Sequence, residues 1–353
     1  IEKSGEARKK RIEKKAAEKK ELKAKEKKKA KVRRMSYRAA SRVLGVDVGH
    51  LSDTGWVYDG LDTVTLSNAG PFVVSGTGTN LHFASVASCA VALSNLTLVA
   101  NSEKTVFAFD TGCAAATLAL HGQNTFVDEG DTVAIGVVEG CNLTISGPGL
   151  LNVTVNGNYT RPAIGGCDLN RRCGSVTITG GIITVTSDGV GIGVGDGGIG
   201  GVFEVAGGFV DVNAGLTGIG SGWGGQDVEV KITGGRVMAT GYGGAAIGAG
   251  PLSTNVTVLV SGGDVQAYGE WGGAAIGGGY CSEDVSIVIQ GGIVTAVGNS
   301  VAAAIGGGGN GCSCGDITIA DTVTKVVATK GENAPCSIGS GAGGFCGTVT
   351  IGG

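Results

Sequence analysis

From about residue 140 onward, apolar and polar residues alternate over short runs, and each run stops at glycine. Val176-Thr-Ile-Thr, Val230-Lys-Ile-Thr, Val258-Leu-Val-Ser and Ile287-Val-Ile-Gln each lead into a Gly-Gly pair. Beyond the pairs come Ile183-Thr-Val-Thr, Val210-Asp-Val-Asn, Val237-Met-Ala-Thr, Val265-Gln-Ala-Tyr and Val294-Thr-Ala-Val. A period of two puts Val, Ile and Ala on one face and Thr, Asp, Lys and Gln on the other, the pattern of half-buried β-strands. The pairs begin at Gly180, Gly207, Gly234, Gly262 and Gly291, at intervals of 27, 27, 28 and 29 residues. An Ile-Gly step keeps the same beat at Ile164, Ile192, Ile219, Ile247, Ile276, Ile305 and Ile338. Each repeat thus predicts strand, glycine turn, strand, glycine-rich turn, and a short apolar stretch ending in Ile-Gly.

No such repeat has enough apolar surface to fold alone. Stacking the repeats so that equivalent strands pair in parallel gives one continuous core, a solenoid. Cys89, Cys113 and Cys141 each precede a strand-like run at spacings of 24 and 28, which extends the phase back to about Leu61. The expected fold is all-β, a right-handed parallel β-helix of about ten coils and ~50 Å, its hand following the general preference for right-handed crossovers. Residues 45–60 are expected to form a linker and N-terminal cap, with Trp56 covering the first coil of the solenoid at 61–353.

Composition divides the chain. Residues 1–44 carry 19 Lys/Arg against 6 Asp/Glu, a net of +13, whereas 45–353 carry 8 against 24, a net of −16. The basic segment consists mostly of good helix formers with Glu6–Lys10 and Glu21–Lys25 at helical spacing, but without an a/d seam. It reads as a helical or disordered arm. Either it is simply solvated, or Lys9, Lys10, Lys14, Lys15, Lys27, Lys28, Lys29, Arg33 and Arg34 hold it to an anionic surface or polymer. No aromatic interleaving or base-reading motif suggests sequence-specific nucleic-acid recognition. Neither a signal-peptide core nor a run of about 18 apolar residues is present. Because the chain opens on Ile1 and stops just past the strand-like Thr348-Val-Thr-Ile, a processed chain or a piece of a longer one is expected.

The segments GGRVMATGYGGAAIGAG, GGDVQAYGEWGGAAIGGG and ISGPGLLNVTVNG…RPAIGG resemble the glycine-rich β-helix repeats of bacterial-type cell-surface proteins, over about residues 61–353. That resemblance implies the solenoid architecture and an adhesin-like or carbohydrate-binding role at the cell surface. It supplies no catalytic residues.

Several side chains are candidates for chemistry. Cys314 and Cys346 share a phase of adjacent coils, where stacked Cα atoms lie within disulfide range, and Cys281–Cys312 and Cys167–Cys173 could pair across loops. The alternative is a reduced ladder of small buried thiols. Cys312 and Cys314 with Cys281 lack the paired spacing and the histidine of a metal site. Asn95, Asn142, Asn152, Asn158 and Asn255 lie in Asn-x-Thr sequons, open to glycosylation in a secreted chain, although Asn at a turn before a strand Thr is also ordinary solenoid sequence. Tyr242 and Trp271 each stand five residues before the Ile of Ala-Ile-Gly and should stack, with Tyr268, Trp223 and Tyr280 near them. Such a row is either a sugar platform or packed aromatics covering glycine-rich backbone. Asp227, Asn255, Asp284 and Asp316 share another phase, better explained as Asx-turn caps than as an acid row.

His50, His82 and His121 are scattered and form no poised cluster, so no enzyme and no cofactor are expected. The sequence points to a structural or adhesive rod, extracellular or at the cell surface, anchored by its basic arm and working with glycan, other copies or other proteins. The alternatives are a carbohydrate-binding module, a polysaccharide hydrolase or lyase, and a scaffold in an intracellular anionic assembly.

Overall fold

The structure, a computed structural model, describes residues 45–50, 55–101, 103–157, 159–166, 171–311 and 313–352. The basic arm with its nine candidate cations, Asn158, Cys167 and Cys312 lie outside the described residues. The chain is an all-β parallel solenoid of about nine turns. No helix among the described residues is long and apolar enough to cross a membrane.

A regular coil contains two longer strands and one short one. Gln226–Ile232, Arg236–Gly241 and Ile247–Gly248 make one coil, and Thr254–Val260, Asp264–Gly269 and Ile276–Gly277 the next. Pairing between coils is parallel and in register, with Val230 opposite Val258, Ala239 opposite Ala267 and Ile247 opposite Ile276. The long strands form one 21-stranded sheet and the short ones a 12-stranded sheet. Inward positions are filled by Val, Ile and Ala that exclude water almost completely, while their Thr, Glu and Lys neighbours face out. Each fully buried Val or Ile contributes about 1.5–3 kcal/mol, gained only when a neighbouring coil is in place.

Two glycine rows shape the coil. The second glycine of each pair turns the chain with positive φ, +75° at Gly235, where a Cβ would lie 2.8 Å from Gly208 O in the coil below. The glycine of each Ile-Gly step is more constrained. Gly248 has φ +134°, and a Cβ there would meet Gly277 O at 2.2 Å, so only glycine lets consecutive coils close up.

The N-terminal coils are built differently. Phe72–Thr79 and Cys89–Ala100 are long strands, and the second pairs with both Ala115–His121 and Gln123–Asp128. Two strands of a later coil are thus one continuous strand here. The first two steps of the short sheet, Thr63 to His82 and Phe83 to Phe107, each span a single long strand rather than two, and the turns number about nine where the sequence predicts ten. Phe83, Phe107, Phe109 and Phe126 fill this core, with Phe83 and Phe107 stacked at 5.2 Å and 8°. Val46–His50 pairs antiparallel with Phe72–Thr79, and Trp56–Tyr58 antiparallel with Thr63–Leu66, with Trp56 packed against the core. Asp128, fully buried among these N-terminal coils, accepts hydrogen bonds from Thr132 Oγ1 (2.6 Å) and Gly130 N (2.9 Å).

Candidate functional site

In the coils around Ile219, Ile247 and Ile276, the glycine-rich turns on both sides of the short strand carry large apolar side chains. On the approach side stand Tyr242 and Trp271, five residues before Ile247 and Ile276. Their rings are stacked, with centroids 6.3 Å apart and planes 9° from parallel. Both stay open to water, Tyr242 at 54% and Trp271 at 73% exposure. Trp271 sits at φ +49°, a left-handed backbone that a bulky residue seldom adopts. On the exit side Trp223, Pro251 and Tyr280 occupy one position of successive coils, four residues past the Ile. Their ladder is fixed by Gly224 N donating to Pro251 O (2.8 Å) and Leu252 N to Tyr280 O (2.9 Å).

Small residues pinch these two rows together. Ala245 N donates to Ala249 O and Ala274 N to Gly278 O, both at 2.9 Å, which folds the flanks of the short strand back on each other. Gly309 N reaches Gly272 O (2.7 Å), linking the turn beside Trp271 to the exit turn of the following coil. Trp223, Tyr242, Leu252, Trp271 and Tyr280 are accordingly exposed along one edge of three coils. Beside Trp271, Glu270 Oε2 accepts a hydrogen bond from Asn299 Nδ2 (2.5 Å). Tyr268 lies outside the stacked pair, half-buried on strand Asp264–Gly269 between Thr240 and Val297.

The polar row is a set of turn caps. Asp227, Asn255 and Asp284 all have left-handed φ of 53–57°, and Asn255 Nδ2 donates to Asp227 Oδ1 (2.6 Å). Asp316 departs from the expected phase: Cys314 is opposite Val285, so the caps' position in that coil falls at Ser313, and a register shift leaves Asp316 inside strand Ser313–Ile319, its Oδ1 accepting from Thr348 N (2.8 Å). Asn95 is a similar cap, its Oδ1 accepting Gln123 N (3.1 Å). Of the other sequon asparagines, Asn142 is exposed and Asn152 half-buried in its strand. Among the described residues no three His, Cys, Asp or Glu side chains are grouped to hold a metal ion.

The cysteines divide into two kinds. Cys314 and Cys346 are opposite each other in register, Cα atoms 4.7 Å apart, and form a disulfide. Cys113 and Cys141 are buried thiols with sulfurs 3.1 Å apart at the same turn of adjacent coils. Cys89 departs from their phase: it is opposite Ala116, already inside its strand, and its sulfur contacts Ser85 Oγ (3.1 Å). Burial pushes the Cys89 and Cys141 thiols above their ordinary range, with the neighbouring Cys113 adding to the shift at both. Cys281 Sγ donates to Asn310 O (3.2 Å) and Cys173 Sγ to Gly166 O (2.9 Å). Their suggested partners, Cys312 and Cys167, lie outside the described residues.

A second feature was not foreseen from the sequence. A cleft of about 590 Å³ lies over the short sheet at Phe107–Phe109, Ile135–Val137 and Pro162–Gly166. Asp110, Glu139, Arg161, Arg171 and Arg172 line it. Comparison with family models, with curated proteins and with solved structures gave no match.

Proposed function

We propose that this chain is a non-enzymatic adhesive rod that takes hold of carbohydrate through its aromatic edge. The observation that carries the reading is the exposure of Trp223, Tyr242, Leu252, Trp271 and Tyr280 along three consecutive coils. A contiguous apolar surface of this kind is disfavoured in water unless a ligand or partner covers it. Aromatic rings backed by rigid strands suit the apolar faces of sugar rings, and the adjacent Glu270–Asn299 pair supplies acceptor and donor groups for hydroxyls. The rest of the solenoid then serves as a stiff spacer. A cell-surface setting agrees with the Cys314–Cys346 disulfide, since such bonds persist in oxidising compartments. In this reading the basic residues 1–44 anchor the rod to an anionic surface.

The test is retention on a panel of immobilised neutral glycans by the wild-type chain and by Tyr242→Ala, Trp271→Ala and the double variant. Retention should fall at least tenfold in the double variant while its melting temperature stays within a few degrees of wild type. Undiminished retention would reject the aromatic edge as the contact. Release of new reducing or unsaturated ends from the glycans would reject the non-enzymatic reading.

A further inference from the structure

Cys113 and Cys141 stand sulfur to sulfur at 3.1 Å, with Cys141 Sγ donating to Cys113 Sγ. Each closes a tight turn. Cys113 N donates to Asp110 O (2.9 Å) and Cys141 N to Val138 O (3.1 Å), and a glycine of positive φ, Gly112 or Gly140, precedes each cysteine. The two turns belong to adjacent coils, since they follow the paired residues Phe109 and Val137. Coils stack about 4.8 Å apart, inside the Cα span that a disulfide bridges. Cys314 and Cys346 already bridge such a step, with Cα atoms 4.7 Å apart. Bringing the Cys113 and Cys141 sulfurs to bonding distance takes a movement of about 1 Å.

The neighbouring thiols are engaged elsewhere. Cys89 lies inside its strand opposite Ala116, its sulfur on Ser85 Oγ (3.1 Å), and Cys173 turns its sulfur to Gly166 O (2.9 Å). The next coil presents Gly174 to Cys141, and a Cβ there would lie 2.4 Å from Cys141 O. We infer that Cys113 and Cys141 are a modification site, closing a second disulfide between coils when the chain meets a disulfide oxidant such as glutathione disulfide or an oxidised dithiol protein. The Cys113 thiolate attacks one sulfur of the oxidant, breaking its S–S bond and releasing one thiol. Cys141 then attacks Cys113 Sγ in the mixed disulfide and releases the second thiol. The two cysteine protons end on the released thiols, and the oxidant takes up two electrons. Cys113 and Cys141 are 3% and 1% exposed, so exchange requires their turns to open, and Thr111, Gly112, Glu139 and Gly140 beside them already face water. The bond joins residues 28 apart and constrains the unfolded chain at the N-terminal coils, as Cys314–Cys346 does at the last. It stands whether or not the aromatic edge takes sugar.

The test refolds the full chain in reduced and oxidised glutathione, unfolds it in iodoacetamide without reduction, and maps the peptides by mass spectrometry. Cuts after Lys104, Glu129 and Glu139 put Cys89, Cys113 and Cys141 on separate peptides. The Cys113 peptide should be found bonded to the Cys141 peptide, with fragment spectra assigning both sulfurs and Cys89 alkylated. Refolding in this buffer rather than in dithiothreitol should also raise the melting temperature of the wild type several degrees more than that of Cys113→Ala/Cys141→Ala, which keeps Cys314–Cys346. Alkylation of both Cys113 and Cys141, a bond from either to Cys89 or Cys167, or an equal gain in melting temperature in the two chains would each overturn the assignment. The Cys314–Cys346 link in the same digest reports that the buffer was oxidising.

Discussion

The two ends of the solenoid solve the same packing problem with different side chains. Between Leu66 and Phe126 the core is filled by phenylalanine and leucine, with Phe107 in ring contact with Phe83, Phe109 and Phe126. Between Val228 and Ala304 it is filled by Val, Ile and Ala, and the backbone closes to Gly-on-Gly contact at the short strand. One end gains burial from large side chains. The other gains it from small side chains and backbone proximity. A solenoid thus needs matching neighbours at each position, but not the same side chains throughout.

This contrast can be broken from either side. Phe107→Ala should have the largest effect, about 3–5 kcal/mol in denaturant unfolding, because it opens a cavity that three other phenylalanines share. Gly248→Ala should cost about 2–4 kcal/mol: the methyl faces backbone oxygen rather than a movable side chain, and φ is strained as well. Its hydrogen-exchange protection should fall locally around Ile247 and Ile276 and not at Phe107, since coils couple chiefly to their neighbours. If Phe107→Ala were as mild as a surface change, the N-terminal core would not depend on its rings.

A smaller effect separates the ends by pH. Burial raises the Asp128 carboxyl above its ordinary value of 3.8, opposed by the Thr132 hydroxyl, the Gly130 N–H and the nearby His82, while Asp131 adds to the rise. The folded state therefore holds this proton more tightly than the unfolded chain does. The stability it contributes is complete below the ordinary value and is lost as pH rises through the elevated one. Asp128→Asn should flatten the stability profile above pH 3.8, a smaller change than either packing loss, and a profile identical to wild type would contradict the assignment.

Much of this architecture was legible because its determinants are periodic. The spacing of Ile164, Ile192, Ile219, Ile247, Ile276, Ile305 and Ile338 places them opposite one another in successive coils. The Tyr242–Trp271 stack and the Cys314–Cys346 bond follow from the same phase. The cleft was not legible. Asp110, Glu139 and Arg161 come from three coils and different positions within them, while Arg171 and Arg172 stand where the next coil has Gly198 and Ile199, so no repeat announces them. Pro251 hid its row in the same way, because a proline between two aromatics reads as a turn until the coils are stacked. The early coils weakened the signal too, since strand Cys89–Ala100 merges two elements and removes the Gly-Gly marker between them.

The Gly-on-Gly rows have a mechanical consequence. Each coil holds to the next through a continuous track of backbone hydrogen bonds, and pulling on the chain ends loads that track at one edge. The rod should then unspool from its N-terminal end, one coil at a time, because the Cys314–Cys346 disulfide closes the last coil. A coil such as the one from Ile219 to Ile247 contains 28 residues, so each event would release roughly 90–100 Å of contour. A tether built this way lengthens by counted increments under load while the coils not yet reached keep their shape.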